Sequence, residues 1–213
     1  MVIHAYSEDY LNHAQKILGD MMDYAVNTYE FSPNQFYEMF LVSDVSMQFQ
    51  TGNPTYVAGK TGCELVKEVL RKSGLLIPEL EDEMYLDKSP EYWCGWALAY
   101  YQWYTGRSFM KIYHAVSIEE ILSMYPVYHE MDISRFVETI NEKWDQYYVE
   151  TNLKRLRMLA GLSQSELAKR SGVALRQIQL FEQRQRDINH TRAIDVLRLA
   201  RELGCKSEEL LEI

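Results

Sequence analysis

Cysteine, proline and glycine are all scarce in this chain, at 3, 5 and 10 of its 213 residues. Cys63, Cys94 and Cys205 are odd in number, far apart and without Cys-x-x-Cys spacing, so neither a disulfide framework nor a zinc site is expected. His4, His13, His114, His129 and His190 also lack metal-ligand spacing, which makes structural histidine the simpler reading and leaves no metal or other cofactor in prospect. No apolar run reaches the roughly 18 residues that a membrane-spanning helix requires. The opening Met1-Val2-Ile3-His4-Ala5 holds neither the basic stretch nor the apolar core of a secretory signal, so a cytoplasmic protein with no membrane partner is expected. Internal repeats and low-complexity tracts are absent too. With 47% hydrophobic and 25% charged residues, the chain has material for one or two packed domains rather than extended disorder.

Positive charge is missing from most of the length. Residues 1–150 hold 10 Lys and Arg against 23 Asp and Glu, a net charge of −13, whereas residues 151–213 hold 12 against 8, a net charge of +4. The overall −9 therefore conceals a basic module. Phosphate repels an acidic body, so a cationic terminal segment points to nucleic-acid contact through one face and leaves the acidic remainder a separate task. Two domains are expected, 1–150 and 151–213. No Gly- or Pro-rich linker separates them, and the apolar stripe Phe136, Val137, Ile140, Trp144, Tyr147 and Tyr148 predicts a helix that joins one to the other.

Periodicity predicts helices throughout, hence an all-α fold. Tyr10, Leu11, Ala14, Ile17, Leu18, Met21, Met22 and Ala25 recur at three- and four-residue intervals within a long helix over about 8–28. Ser32-Pro33 restarts a helix with Phe36, Phe40 and Leu41 on its apolar face. Residues 51–62 are dense in chain breakers and read as a loop, after which Cys63, Leu65, Val66, Val69 and Leu70 resume helical spacing up to Ser73-Gly74. Residues 75–88, with Pro78 and five carboxylates, read as an exposed crossing. Ser89-Pro90 then opens a helix bearing Tyr92, Trp93, Trp96, Tyr100, Tyr101, Trp103 and Tyr104. Such a helix is either the central core helix or in part a partner surface, with Trp93, Trp96 and Trp103 as the anchors. Ser117 and Glu120 form a capping box for a short helix that runs through Met124 and is expected to stop at Pro126, and Asp132 can cap the next.

Two segments invite a chemical reading. Gly59-Lys60-Thr61 resembles the end of a phosphate loop, but the position five residues earlier is Pro54, not Gly, and no strand precedes it. His129-Glu130-Met131-Asp132 could serve as an acid–base cluster, yet Asp132 already has a role as a helix cap and no nucleophile or oxyanion motif accompanies it. No catalytic residue is assigned, and an enzyme is not expected.

The basic segment carries the sharpest pattern. Leu162-Ser163-Gln164-Ser165-Glu166 supplies a capping box, Gly172 the positive-φ residue of a tight turn, and Val173-Ala174 the start of a second helix. Leu156, Leu159, Leu162, Leu167, Ala168, Val173, Ile178, Phe181, Ile188, Ile194, Leu197, Leu203 and Leu210 can close a small five-helix core. With Leu162-Ser163-Gln164, Glu166-Leu167-Ala168, Gly172-Val173 and Ile178-x-x-x-Glu182 in place, residues 152–212 resemble a Cro/CI-type helix-turn-helix domain of the XRE family. The resemblance implies binding to double-stranded DNA. It places Leu175, Arg176 and Gln179 on recognition-helix positions that face base edges, and Gln164 against phosphate. An arginine at position 176 can bond guanine O6 and N7 together, worth about 1–3 kcal/mol of discrimination, Gln179 can pair with adenine, and Leu175 can touch a thymine methyl. Lys154 and Arg157 before the motif, and Arg184 and Arg186 after it, are candidate phosphate contacts, with plain solvation as the alternative. Gln183-Arg184 stands where a glycine often closes the recognition helix in this family, which leaves the helix end open. One short helix reads one groove, so a homodimer on an inverted-repeat operator is expected.

For the acidic domain two uses stay open: binding a protein partner, or holding a small effector in an aromatic-lined cavity. Residues 52–59, 93–103 and 123–132 resemble regulators encoded in toxin–antitoxin operons beside ADP-ribosyltransferase-like toxins. That resemblance implies an antitoxin whose acidic domain binds the cognate toxin and whose basic domain represses the shared promoter. The alternative is a ligand-responsive transcriptional regulator.

Overall fold

Serine and threonine side chains set the starting points of most helices in the computed structural model, which describes residues 4–75, 78, 80–83 and 87–212. Two compact units result, Met1–Tyr147 and Tyr148–Ile213. Every regular element among the described residues is helical, and no helix is long and apolar enough to cross a membrane.

In the first unit a 3-10 turn, Glu8–Tyr10, runs into α1 (Leu11–Asn27). The elements α2 (Pro33–Val42), α3 (Asp44–Gln50), α4 (Gly62–Lys72), α5 (Pro90–Thr105), α6 (Phe109–Ala115), α7 (Ile118–Tyr128) and α8 (Ile133–Tyr147) follow. Ser32, Ser89 and Ser108 each accept a hydrogen bond from a first-turn amide, of Gln35, Tyr92 and Lys111 respectively. Thr61 with Glu64, and Ser117 with Glu120, form full capping boxes. The sequence pattern missed α3 and α6, which are a single pair of turns each; Ser43 breaks the path from α2 into α3 by adopting an extended conformation.

The aromatic helix α5 is the core of this unit. Trp93, Cys94, Ala97, Leu98, Tyr101 and Trp103 are buried, and α5 packs most extensively against α1. Glycine permits the approach: a Cβ on Gly95 would fall 2.3 Å from the Leu18 carbonyl oxygen, and one on Gly19 would fall 2.8 Å from the Tyr92 ring. Of the three expected partner anchors, Trp93 and Trp103 are therefore interior residues and only Trp96 is half-buried. Trp103 stacks on His4 at 3.8 Å and donates from Nε1 to the Tyr6 carbonyl at 2.9 Å, so its two faces of chemistry are both used internally.

Other expectations are corrected. Pro126 lies inside α7 and does not end it. It sits close enough to the helix end that the loss of one amide donor is tolerated, while Tyr125 on one side packs against Trp93 and His129. Within residues 51–62, Thr55–Gly59 forms a π-helical turn. Lys60 pairs with Glu68 and Thr61 caps α4, so the Gly-Lys-Thr run serves helix packing. Asp132 accepts from the Ser134 amide at 2.9 Å, the capping role expected of it. The acidic crossing over 75–88 lies partly outside the described residues; at its described positions the Tyr24 hydroxyl donates to the Glu81 carbonyl at 2.7 Å. The joining helix α8 reaches the end of the first unit, but residues 148–151 are not helical.

The second unit comprises α9 (Asn152–Leu159), α10 (Gln164–Ser171), α11 (Leu175–Glu182) and α12 (Ala193–Leu203), with 3-10 turns at Ile188–His190 and Ser207–Leu210. The last of these turns takes the place of the expected fifth helix. Leu162, Leu167, Val173, Ile178, Phe181, Ile188 and Leu210 pack together as expected, joined by Leu153, Val196, Leu199 and Ala200. Leu159, Ile194 and Leu197, expected in the core, are exposed instead. The inward stripe of α12 is Val196, Leu199 and Ala200, and beside it buried Asp195 takes the Arg192 guanidinium through both oxygens at 2.9 and 3.1 Å.

Two stability outcomes follow from the first unit, which holds all four tryptophans. Gly95→Ala is expected to cost at least about 1–3 kcal/mol through overpacking against backbone that has no rotamer to yield, read as an earlier urea midpoint in tryptophan fluorescence. Burial pushes the Glu68 carboxyl up, but hydrogen bonds from Lys60, Lys72 and Tyr56 outweigh it and hold the group at about 2. A depressed folded value means stability that is present above the ordinary value and lost as pH falls through the folded one. Glu68→Gln is thus expected to be less stable than the parent at pH 7, with the gap closing between about pH 4.5 and 2; a gap independent of pH would contradict this.

Candidate nucleic-acid interface

The turn between α10 and α11 is built from three local devices. Ser163 Oγ accepts from the Glu166 amide at 3.1 Å while Glu166 accepts from the Ser163 amide at 2.8 Å, which fixes the start of α10. Gly172 ends it in the left-handed conformation, φ +70°. Between them, Ser171 Oγ donates to the Leu167 carbonyl at 2.7 Å and accepts from the Val173 amide at 3.2 Å, and buried Val173 points the chain into the core before α11 begins. Two eight-residue helices joined across Gly172, Val173 and Ala174 are the outcome.

A buried ionic cluster holds the second helix in place. Arg157 Nε and Nη2 bond the two oxygens of Glu182 at 2.7 and 2.8 Å, and its Nη1 donates to the Leu162 carbonyl at 2.7 Å. Gln164 Nε2 reaches the same carboxylate at 2.8 Å. The two charged side chains are only 11% and 3% exposed. Three points of the unit thus converge on Glu182: α9, the first turn of α10, and the last turn of α11. The expected phosphate contact from Arg157 is corrected to this internal ion pair, since all three of its nitrogens are occupied within the unit. Gln164 is half-buried with its amide directed at Glu182. Sequence reasoning registered the Ile178-x-x-x-Glu182 spacing without its meaning. The signal was available, because a carboxylate at 182 adjoins Ile178 and Phe181 on the core face of α11 and needs a buried cation.

The opposite face of α11 is open. Leu175 and Arg176 are exposed and Gln179 is half-buried, at i, i+1 and i+4 on one side of the helix. Among the described residues Arg176 makes no hydrogen bond or ion pair. Arg186 is exposed, its guanidinium 6.0 Å from the Phe181 ring centroid. Lys154 pairs with Glu150 at 3.0 Å across a half-exposed surface, the kind of contact worth well under about 1 kcal/mol and readily exchanged for phosphate. Arg184 is committed further: Nη2 donates to the Tyr148 carbonyl at 2.5 Å and lies 3.9 Å from Glu212. Its backbone occupies the left-handed region, φ +54°, the conformation that a glycine would take at the close of the helix. The helix end left open by the sequence is therefore closed in the usual geometry by a residue ill-suited to it, with the Gln185 and Arg186 amides both returning to the Leu180 carbonyl.

Residues 153–210 match the family model Helix-turn-helix, HTH_3. The match covers about a quarter of the chain and makes the second unit a DNA-binding helix-turn-helix module of XRE type, as found in transcription regulators. None of the curated proteins and none of the solved structures compared matches the chain. Within the helix-turn-helix module, α11 is the recognition helix by position, and the Glu182 cluster lies on its inward side.

The first unit offers a different feature. Trp93 and Trp96, together with Tyr92, Tyr125 and Tyr128, line a cavity of about 300 Å³ in which Trp103 takes no part. His129 lies on its wall, Nδ1 2.7 Å from the Tyr125 carbonyl and its ring stacked on Tyr125 at 4.4 Å.

Arg157→Ala is expected to lower the stability of the helix-turn-helix module by about 3–5 kcal/mol, because it strands a buried carboxylate. Arg184→Gly is expected to raise it by up to about 1 kcal/mol, the relief of the left-handed backbone less the lost Tyr148 bond. Far-UV circular dichroism under urea separates the two, since the module contains no tryptophan; a stabilised Arg157→Ala or a strongly destabilised Arg184→Gly would contradict the assignments.

Proposed function

We propose that this DNA-binding regulator is a transcriptional repressor that acts as a homodimer on an inverted-repeat operator, with α11 in the major groove. The observation that carries the proposal is the exposed, uncommitted Arg176 on the outer face of a recognition helix whose inner face is pinned by Glu182. Arg176 and Gln179 read base edges and Leu175 meets a thymine methyl, while Arg186 and Lys154 approach phosphates, with Gln164 beside them. One eight-residue helix covers one half-site, so two copies about 10 base pairs apart supply the affinity of a specific regulator. The net charge of +4 on residues 151–213 supports attraction to phosphate, and the −13 on residues 1–150 supports a partner other than DNA for the rest. By the resemblance of residues 52–59, 93–103 and 123–132, that partner is a cognate toxin, which makes the chain an antitoxin that regulates its own operon. A neighbouring reading frame whose expression is harmful alone and harmless beside this chain is the expected finding; harm unrelieved by this chain would remove the antitoxin reading.

A second reading is favoured by a specific observation, the aromatic cavity of the first unit. A regulator that senses a small molecule there would need no protein partner.

Binding to the chain's own promoter fragment tests the DNA reading directly. Arg176→Ala is expected to weaken specific binding by about 1–3 kcal/mol, some 5- to 150-fold, with little change in non-specific binding. Arg186→Ala is expected to weaken both alike and to lower the log–log salt slope by about one. An Arg176→Ala protein that binds its promoter as the parent does would remove Arg176 from the readout.

A further inference from the structure

We infer that the half-buried face of α5 is a docking surface for an arginine-bearing segment of a protein partner. Tyr92, Trp96, Tyr100 and Tyr104 recur at every fourth residue, so they form a ladder of rings along the helix, each partly open to solvent. Among the described residues none of the four makes a hydrogen bond through its side chain. The ladder rests on its own neighbours: Tyr100 lies parallel to Tyr104 at 6.0 Å, and His4 tilts against Tyr104 at 5.6 Å. Tyr92 and Trp96 also wall the aromatic cavity, whose lining residue Met131 is exposed.

The first rung already holds what the others lack. Over Tyr92 the Lys88 ammonium lies 4.1 Å from the ring centroid and 3.0 Å from Asp20. Asp20 also pairs with Lys16, and Asp23 accepts from Ser89 and Asn27, so two cations balance two carboxylates at that end. Further along, no cation lies over Trp96, Tyr100 or Tyr104 among the described residues. Carboxylates are present there without one. Burial pushes the Tyr100 hydroxyl up, and Tyr104, Asp132 and Glu8 push it the same way electrostatically. Asp132 and Glu8 are exposed and form no ion pair among the described residues. Arg135, the cation that acts on Asp132, is paired with Glu138 at 2.9 Å, and His129 on the cavity wall has Glu130 at 3.7 Å. A cation brought by a partner would therefore repeat at Trp96 and Tyr100 the arrangement that Lys88 makes at Tyr92, a ring on one side and a carboxylate on the other. Guanidinium suits it better than ammonium, since its plane stacks on a ring while its edge bonds a carboxylate and the unpartnered tyrosine hydroxyls. From Trp96 to Tyr104 the ladder is about 12 Å long, more than one such group covers. Trp96 Nε1 can only donate, and a peptide backbone supplies the carbonyl it needs.

The inference names the surface and the partner's chemistry for the protein-partner reading of the first unit and rests on that reading, so the surface is probed apart from any natural partner. The full chain is titrated by calorimetry at low salt with a capped peptide of alternating arginine and alanine long enough to span the ladder, with its lysine and citrulline counterparts, and with spermidine. The arginine peptide is expected to bind tightest, and the citrulline peptide, which keeps the shape and loses the charge, about tenfold or more weaker. Trp96→Leu and Tyr100→Leu keep apolar area and remove the π face; each is expected to weaken the arginine peptide about two- to fivefold and to leave the citrulline peptide little changed. Glu8→Gln, outside α5, is expected to weaken it about twofold, which keeps a readout should a ring variant fold poorly. An arginine peptide bound no tighter than its citrulline or lysine counterpart, spermidine bound as tightly, or an equal loss on Glu30→Gln, beyond the far end of α1 from Glu8, would overturn the surface. A chain that sediments as a dimer and becomes a monomer on Trp96→Leu would give the face to a second copy and overturn it too. Peptide binding as expected, with the product of the neighbouring reading frame held equally by the parent and the ring variants, would keep the surface and separate it from the antitoxin reading.

Discussion

The carboxylate of Glu182 is the constraint on which the DNA-binding module depends. A buried charge is tolerated only when its partners reach it with good geometry, and here Arg157 and Gln164 do so from two other elements. That requirement converts a general hydrophobic collapse into a particular arrangement. The bidentate guanidinium and the glutamine amide add directional bonds to the apolar packing of α9, α10 and α11. With its inner face so held, α11 presents Leu175, Arg176 and Gln179 outward without further support.

The first unit depends on a steric constraint in place of an ionic one. Gly19 and Gly95 allow α1 and α5 to approach until backbone meets backbone, and the large rings that flank them on α5 then fill the space on either side. This crossing also shapes the cavity: Tyr92 is pressed against Gly19, and Trp93 is turned toward Tyr125 and Phe136. Core and cavity are thus two sides of the same helix. An aromatic run dense enough to surround α5 cannot all be buried by one neighbour, and the remainder lines the hollow beside α7.

Much of the fold was legible because its signals are local. Serine, threonine and proline at helix starts and glycine at the close of α10 act within a few residues of themselves and appear where they were expected, as does most of the three- and four-residue apolar spacing. The readings that failed turned on what apolar spacing and breaker residues do not weigh. Pro126 breaks a helix on local grounds, yet α7 continues past it. Ile194 and Leu197 fit one apolar stripe, but the competing stripe of Val196, Leu199 and Ala200 is the one that faces inward. Arg157 looked like one more surface cation until Glu182, 25 residues away, was seen to claim it. Arg184 in the left-handed region shows the converse case, in which tertiary closure of the helix overrides the preference of the residue.

The amino-acid sequence by itself determined the helical class, the opposite charges of residues 1–150 and 151–213, and the helix-turn-helix spacing with Arg176 at its outer face. These are properties of composition and of neighbours along the chain. Only the tertiary structure decided which cations are spent internally, which aromatic residues form the core and which line a cavity, and how closely α1 and α5 approach. Those outcomes rest on contacts between residues far apart in the chain, where burial makes a single missing partner costly enough to choose one packing over another.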